Sequence, residues 1–232
     1  MGELRANEDR AKYAIVLIWV VLGMEAIALW SNYLQFNLLQ KVASGVQISV
    51  AEATLNDTRV QLIAILGLVV YIISIVTFIQ WFRRAYFNLH IQVNNLTYKE
   101  GWAAGSWFVP ILCLFRPYQI MVELYERTSQ LLTSNGIKAV RSLETQFLGL
   151  WWGLWILNGL LGNYTLRTSI RNETVDDFLQ GTFMEMIGNV LTIVLAIITV
   201  KVIKDYSRNE SLLVEIPKQA PADSAEIGII QE

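Results

Sequence analysis

The chain has 232 residues, of which 54% are hydrophobic and 16% charged, with a formal net charge of −2 at pH 7. Its apolar residues lie in long blocks separated by polar stretches, the pattern of a polytopic membrane protein and not of a water-soluble domain. A single cysteine, Cys113, and a single histidine, His90, exclude an intrachain disulfide, a zinc site or a bis-histidine haem site from this chain alone, and the near-neutral charge offers no basic surface for nucleic acid.

The first apolar block begins after Lys12 and carries Glu25 at its middle. It is far longer than the core of a signal peptide and has no small-residue cleavage site, so it is expected to remain as an anchor. Uncharged windows follow at 60–82, 101–115, 145–166 and 186–200. The window at 101–115 is the anomalous one. A helix of about 15 residues covers about 22 Å against a hydrocarbon core of about 30 Å. Pro110 interrupts the window, Arg116 closes it, and Pro117 interrupts again.

Lysine and arginine in short loops are retained on the cytoplasmic side, so their distribution selects a topology. If residues 101–115 do not cross, fourteen of the 18 basic residues lie inside, leaving Lys41, Arg59, Arg167 and Arg171 outside. If they do cross, the preference vanishes. The predicted fold is therefore an all-α polytopic membrane protein with four transmembrane helices in two hairpins, near 13–36, 60–82, 146–163 and 183–203. A re-entrant or interfacial broken helix at 101–122 lies between the hairpins, followed by a cytoplasmic surface helix over about 118–144 with a break at Asn135-Gly136. Residues 1–204 form one membrane domain, 205–232 a disordered tail, and both termini are cytoplasmic. The loops at 37–59 and 164–182 each follow an Asn-Tyr pair, Asn32-Tyr33 and Asn163-Tyr164. That likeness fits a parallel repeat, or simply the preference of tyrosine for interfaces.

Polar groups inside a bilayer are costly and face a protein interior or a water-filled cavity. Four qualify: Glu25, Asn158, Glu185 and Asn189, all placed by the topology in the outer half of the membrane. They outline a polar cavity, against the alternative that they only bond neighbouring helices. On the cytoplasmic side Arg83, Arg84 and Arg116 could bind an anionic lipid phosphate or pair with Glu123. In the third span Gly149 and Gly153 form a small-residue face for helix packing, within the chain or between copies. Gly101 and Gly105 repeat that spacing.

A motif runs through the centre of the chain. Phe78, Trp81, Arg84 and Asn88 are followed by Gly101, Trp102, Gly105, Trp107, Phe108 and Pro110, then by Arg116, Pro117, Tyr118 and Gln119. This succession resembles the bacterial membrane family known as domain of unknown function 4328, most specifically over residues 75–130. The family reads asparagine where this chain has Cys113. The resemblance implies a bacterial inner-membrane protein and no reaction.

The reading that follows is a non-enzymatic membrane protein without cofactor or metal. It acts as an accessory or assembly subunit of a larger complex, or as a homo-oligomer, in contact with lipid and with other membrane subunits. The alternative is a small transporter or channel with a polar cavity in the outer half of the membrane. A lipid-modifying enzyme using His90 or Glu123 as base is a distant third.

Overall fold

The computed structural model describes residues 3–170 and 174–216, among which there is no strand. Six α-helices occur there: α1 (Glu8–Ala43), α2 (Val50–Gln92), α3 (Trp102–Gly105), α4 (Arg116–Ser134), α5 (Gln146–Ser169) and α6 (Val175–Glu210). Short 3-10 turns cover Leu112–Leu114 and Ser211–Glu215. Three helices, α1, α2 and the one that begins at Val175, are long and apolar enough to cross a membrane. The fourth expected span, α5, is helical over 24 residues but is not among them. Its tryptophans, glycines and asparagines dilute the aliphatic content that the other three have.

The expected loops at 37–59 and 164–182 are largely helix. A helical backbone satisfies its own hydrogen bonds and needs no hydrocarbon around it, so α1 continues through Gln40 and Lys41. Gly45, with φ +84°, ends that extension. The Ser49 hydroxyl then accepts from the Glu52 amide at 3.1 Å to start α2. At the start of α6, Thr174 and Asp177 cap each other reciprocally: the Asp177 amide donates to Thr174 Oγ1 at 3.2 Å and the Thr174 amide to Asp177 Oδ2 at 3.0 Å. On α2 the side chains of Leu62, Ile65, Leu66, Val69, Ile72 and Val76 recur at helical spacing and stay about half exposed, a surface suited to hydrocarbon.

Where the sequence suggests one membrane domain over 1–204, the chain divides into two compact units. The span unit comprises Glu8–Trp81 and Glu144–Lys204. Of the described residues, the terminal unit takes those up to Asn7, Phe82–Leu143, and those from Asp205 to Ile216.

Within the terminal unit, α4 is amphipathic and buries Ile120, Leu124, Thr128, Leu131 and Leu132. Pro117 sits in its first turn, where a missing N–H costs nothing. It ends where the sequence places the break: the Asn135 side-chain amide donates to the Leu131 carbonyl at 2.8 Å, and Gly136 takes φ +70°. The predicted helix does not resume between Ile137 and Glu144. Residues 205–216 correct the expectation of a disordered tail. Tyr206 and Leu213 are fully buried, and Leu213 and Ile216 pack with Leu131, Leu132, Leu4 and Val93. Apolar residues within an acidic stretch found a core that composition does not reveal. Residues 217–232, the rest of that expected tail, lie outside the described residues.

Residues 101–115 form no continuous helix. After α3 the chain turns at Pro110, and the Leu112 amide donates to the Pro110 carbonyl at 2.8 Å across Ile111, whose φ and ψ are 68° and −51°. This is a γ-turn with a β-branched residue at its strained centre.

Candidate functional site

In the span unit, α6 carries two polar ladders. Thr182 and Asn189 are seven residues apart, hence on one face of a helix with 3.6 residues per turn, as are Thr192 and Thr199. The first pair meets α1. Gln35 Nε2 donates to Thr182 Oγ1 at 3.2 Å, and Asn32 Nδ2 to Asn189 Oδ1 at 3.1 Å. Asn189 Nδ2 in turn donates to Glu25 Oε2 at 2.7 Å. The second pair meets α5: Trp151 Nε1 donates to Thr199 Oγ1 at 3.0 Å and Thr192 Oγ1 to Asn158 Oδ1 at 3.2 Å. Rising positions on α1 or α5 meet falling positions on α6, as antiparallel neighbours require.

These ladders border a cavity of about 640 Å³ within the same unit. Glu25, Asn158, Glu185 and Asn189, the four residues singled out as intramembrane polar groups, all line it. Ser31, Asn32, Tyr71 and Trp155 are among its other polar and aromatic lining residues. Glu185 makes no hydrogen bond or ion pair with any described residue, whereas Glu25 is held by Asn189. Ser31 also accepts from Arg59, through Nε to Oγ at 3.0 Å and through Nη2 to the carbonyl at 3.1 Å, while Nη2 also donates to Asn56 Oδ1 at 2.6 Å. That guanidinium is committed to α1 and to its own helix, and it does not line the cavity.

Two expectations for these helices change. Gly149 and Gly153 are exposed, and a Cβ on Gly153 would meet nothing within 4 Å. Among the described residues no helix uses the close approach that Gly153 permits, because α5 turns Trp151 and Trp152 inward. Of the two Asn-Tyr pairs, Asn32 is buried and bonded but Asn163 is exposed. The two pairs are therefore not equivalent.

In the terminal unit, Arg84 and Asn88 lie one turn apart on α2 and both act on Glu210 of α6. Asn88 Nδ2 donates to Glu210 Oε1 at 2.8 Å, and Asn7 Nδ2 donates to both carboxylate oxygens, at 3.1 and 2.9 Å. Asn88 also pairs with the backbone of Arg5, accepting from its N–H at 3.0 Å and donating to its carbonyl at 2.8 Å. Burial pushes the Glu210 carboxyl up to about 7, against the pull of Asn7, Asn88 and the Arg84 charge. Other amides do similar work. Gln92 donates to the Leu213 carbonyl at 2.9 Å, and Asn209 accepts from the Val140 amide at 2.9 Å while donating to the Arg141 carbonyl at 2.9 Å. Irregular segments that cannot bond themselves are thus satisfied by helix-borne amides.

Tyr98 is a second centre. Its carbonyl accepts from His90 Nε2 at 3.0 Å, its hydroxyl donates to Gln119 Oε1 at 3.1 Å, and the Arg116 guanidinium lies 4.4 Å from its ring centroid. Trp102 and Phe115 also face Arg116, at 5.8 and 6.0 Å. Glu123 accepts from the Tyr86 hydroxyl at 2.6 Å and from the Thr97 amide at 2.7 Å. Burial and that carboxylate push the Tyr86 phenol far above its ordinary range.

The expected pairing of Glu123 with the arginines is therefore not made. Arg83 pairs with Glu100 at 3.1 Å instead, and the three arginines have separate partners. Elsewhere in the motif, Trp81 is fully buried beside Phe78, and Trp107 meets the Phe82 ring edge-on at 6.4 Å. Pro117 is buried, Tyr118 partly buried, and Pro110 exposed. Gly101 and Gly105 have open space around their Cα atoms. Among the described residues, no three His, Cys, Asp or Glu side chains converge to hold a metal ion.

Sequence reasoning missed Thr182, Thr192, Thr199 and Gln35 in the ladders, and Asn7, Asn209 and Glu210 in the terminal unit. The seven-residue spacing on α6 was the available signal. For Asn7 and Glu210, 203 positions apart, there was none. The family model for a domain of unknown function, DUF4328, matches residues 44–208. No curated protein and no solved structure matches the chain.

Proposed function

Because the chain belongs to the DUF4328 family, whose name states no reaction, we propose its role from geometry: a bacterial inner-membrane protein that binds and moves a small cation through a polar cavity in the outer half of the membrane. One observation carries this reading. Four polar residues taken from three separate apolar segments line a single cavity, and one of them, Glu185, has no hydrogen-bond partner among the described residues, which bonding between neighbouring helices does not account for.

In this reading α5 is the fourth span, because its Trp155 and Asn158 line the cavity alongside α1 and α6. The distribution of lysine and arginine puts both termini in the cytoplasm. Residues 101–122 are the interfacial segment. Phe108 and Ile111 are each 74% exposed, which suits contact with lipid better than with water. Arg83, exposed beside Glu100, is the arginine suited to an anionic headgroup. In this reading His90 and Glu123 serve the fold, their polar atoms holding Tyr98, Tyr86 and Thr97.

The test is single-cysteine labelling in a Cys113→Ser background. Cysteine at Ser169, on the cavity lining, is expected to react with a membrane-impermeant maleimide from outside intact cells, and cysteine at Gln130 only after permeabilisation. Labelling of residue 130 from outside overturns the topology, and no labelling of residue 169 from either side overturns the open cavity. A second reading, a homo-oligomer or complex subunit, is favoured by the exposed Gly149 and Gly153 face.

A further inference from the structure

The nature of the cavity lining narrows the ligand, an inference that rests on the cavity being a binding site. Among the described residues, the lining includes two carboxylates, Glu25 and Glu185, and no Lys, Arg or His. A ligand that neutralises them is a cation. Hard metal ions gather about six or more oxygens at about 2.0–2.6 Å. Here, among the described residues, no three His, Cys, Asp or Glu side chains converge to hold a metal ion, and the amide oxygens of Asn189 and Asn158 are already engaged by Asn32 and Thr192.

Size and wall chemistry point the same way. A volume of about 640 Å³ lies within the range of roughly 300–1,000 Å³ that organic ligands occupy. Leu68, Tyr71 and Trp155 supply apolar and aromatic surface, and the Trp155 ring is held by stacking on Trp152 at 4.6 Å. Aromatic faces attract alkylated ammonium and similar cations whose charge is spread and weakly hydrated. Glu185 has no hydrogen-bond or ion-pair partner among the described residues, while Glu25 is aimed by the Asn189 amide at 2.7 Å.

We propose that this cavity binds a monovalent organic cation, with Glu25 as the counter-ion positioned by Asn189, Glu185 as the second carboxylate, and Trp155 and Tyr71 as the aromatic wall.

The experiment is equilibrium binding of radiolabelled tetraphenylphosphonium to the purified full chain in mild detergent. Competitors are benzyltrimethylammonium, the neutral triphenylphosphine oxide, sodium chloride and magnesium chloride. Saturable binding is expected, displaced by benzyltrimethylammonium and not by the neutral compound or the salts at matched ionic strength. Glu25→Gln and Glu185→Gln are each expected to weaken it at least tenfold, Trp155→Ala several-fold, and Glu25→Asp to retain most of it. If Glu25→Gln is not monodisperse, the Glu25→Asp and Trp155→Ala pair decides. Displacement by sodium or magnesium but not by the organic cation overturns the ligand class and leaves a cation cavity standing. Unchanged binding in the carboxylate variants overturns the assignment of the site. Absence of any saturable cation binding, together with an unlabelled cysteine at Ser169, removes the cavity reading itself.

Discussion

Asn88 donates to Glu210 at 2.8 Å across 122 positions of sequence, and the same amide pairs with the backbone of Arg5. One side chain on α2 therefore holds both the segment before α1 and the end of α6. Asn88→Ala is expected to destabilise the protein by about 3 kcal/mol, because it leaves buried polar groups without partners. Asn88→Asp should cost more, since it sets a second carboxylate against Glu210. Thermal melting in detergent, followed by tryptophan fluorescence, checks both. A melting temperature unchanged by Asn88→Ala would refute the clasp.

Glu210 also fixes a pH dependence. Its carboxyl titrates at about 7 when folded, against an ordinary value of 4.5, so the folded chain keeps this proton to higher pH than the unfolded chain. The stability it contributes is fully present below about pH 4.5, declines as pH rises toward about 7, and is flat above. The size is on the order of 3 kcal/mol. Glu210→Gln should remove this slope, as read from melting curves between pH 5 and pH 8. An equal slope in the variant would assign the effect to other groups.

Ile111 holds a positive φ that glycine adopts freely. Ile111→Gly is expected to stabilise the folded chain by about 1 kcal/mol by relieving this strain, and Ile111→Ala to give no such gain. Chemical denaturation of the two variants side by side measures the difference. If alanine and glycine behave alike, the turn is not strained.

The exposed glycine face separates packing within the chain from packing between copies. Gly153→Leu should leave the melting temperature unchanged or slightly raised, because a Cβ there meets nothing within 4 Å and glycine is a poor helix former. Under the subunit reading the same change abolishes self-association or partner capture. Crosslinking in native membranes, wild type against variant, reads this directly. A variant that unfolds would show that the face is covered within the chain.

The apolar blocks, the break at Pro110, the end of α4 at Asn135-Gly136 and the family were legible in the sequence, because each depends on residues close together in the chain. Helix length was less legible. Polar residues beyond the hydrocarbon region read as loop, yet α1 and α2 continue through them. The four polar residues expected inside the membrane stood out by cost alone, since any such group in a bilayer needs a partner. Which partner each takes did not stand out: Thr182, Thr192 and Thr199 look like ordinary span residues until α1 and α5 lie beside them.

By itself, then, the sequence determined that this is a helical chain with membrane-length apolar segments and a broken centre, because hydropathy and backbone geometry act over a few neighbouring residues. Only the tertiary structure decided that Glu25 meets Asn189, that Asn88 meets Glu210, and that residues 205–216 join a core instead of trailing from it. Those pairings depend on which faces of distant helices are brought together. A hydrogen bond between positions more than a hundred residues apart leaves no periodic trace in the chain.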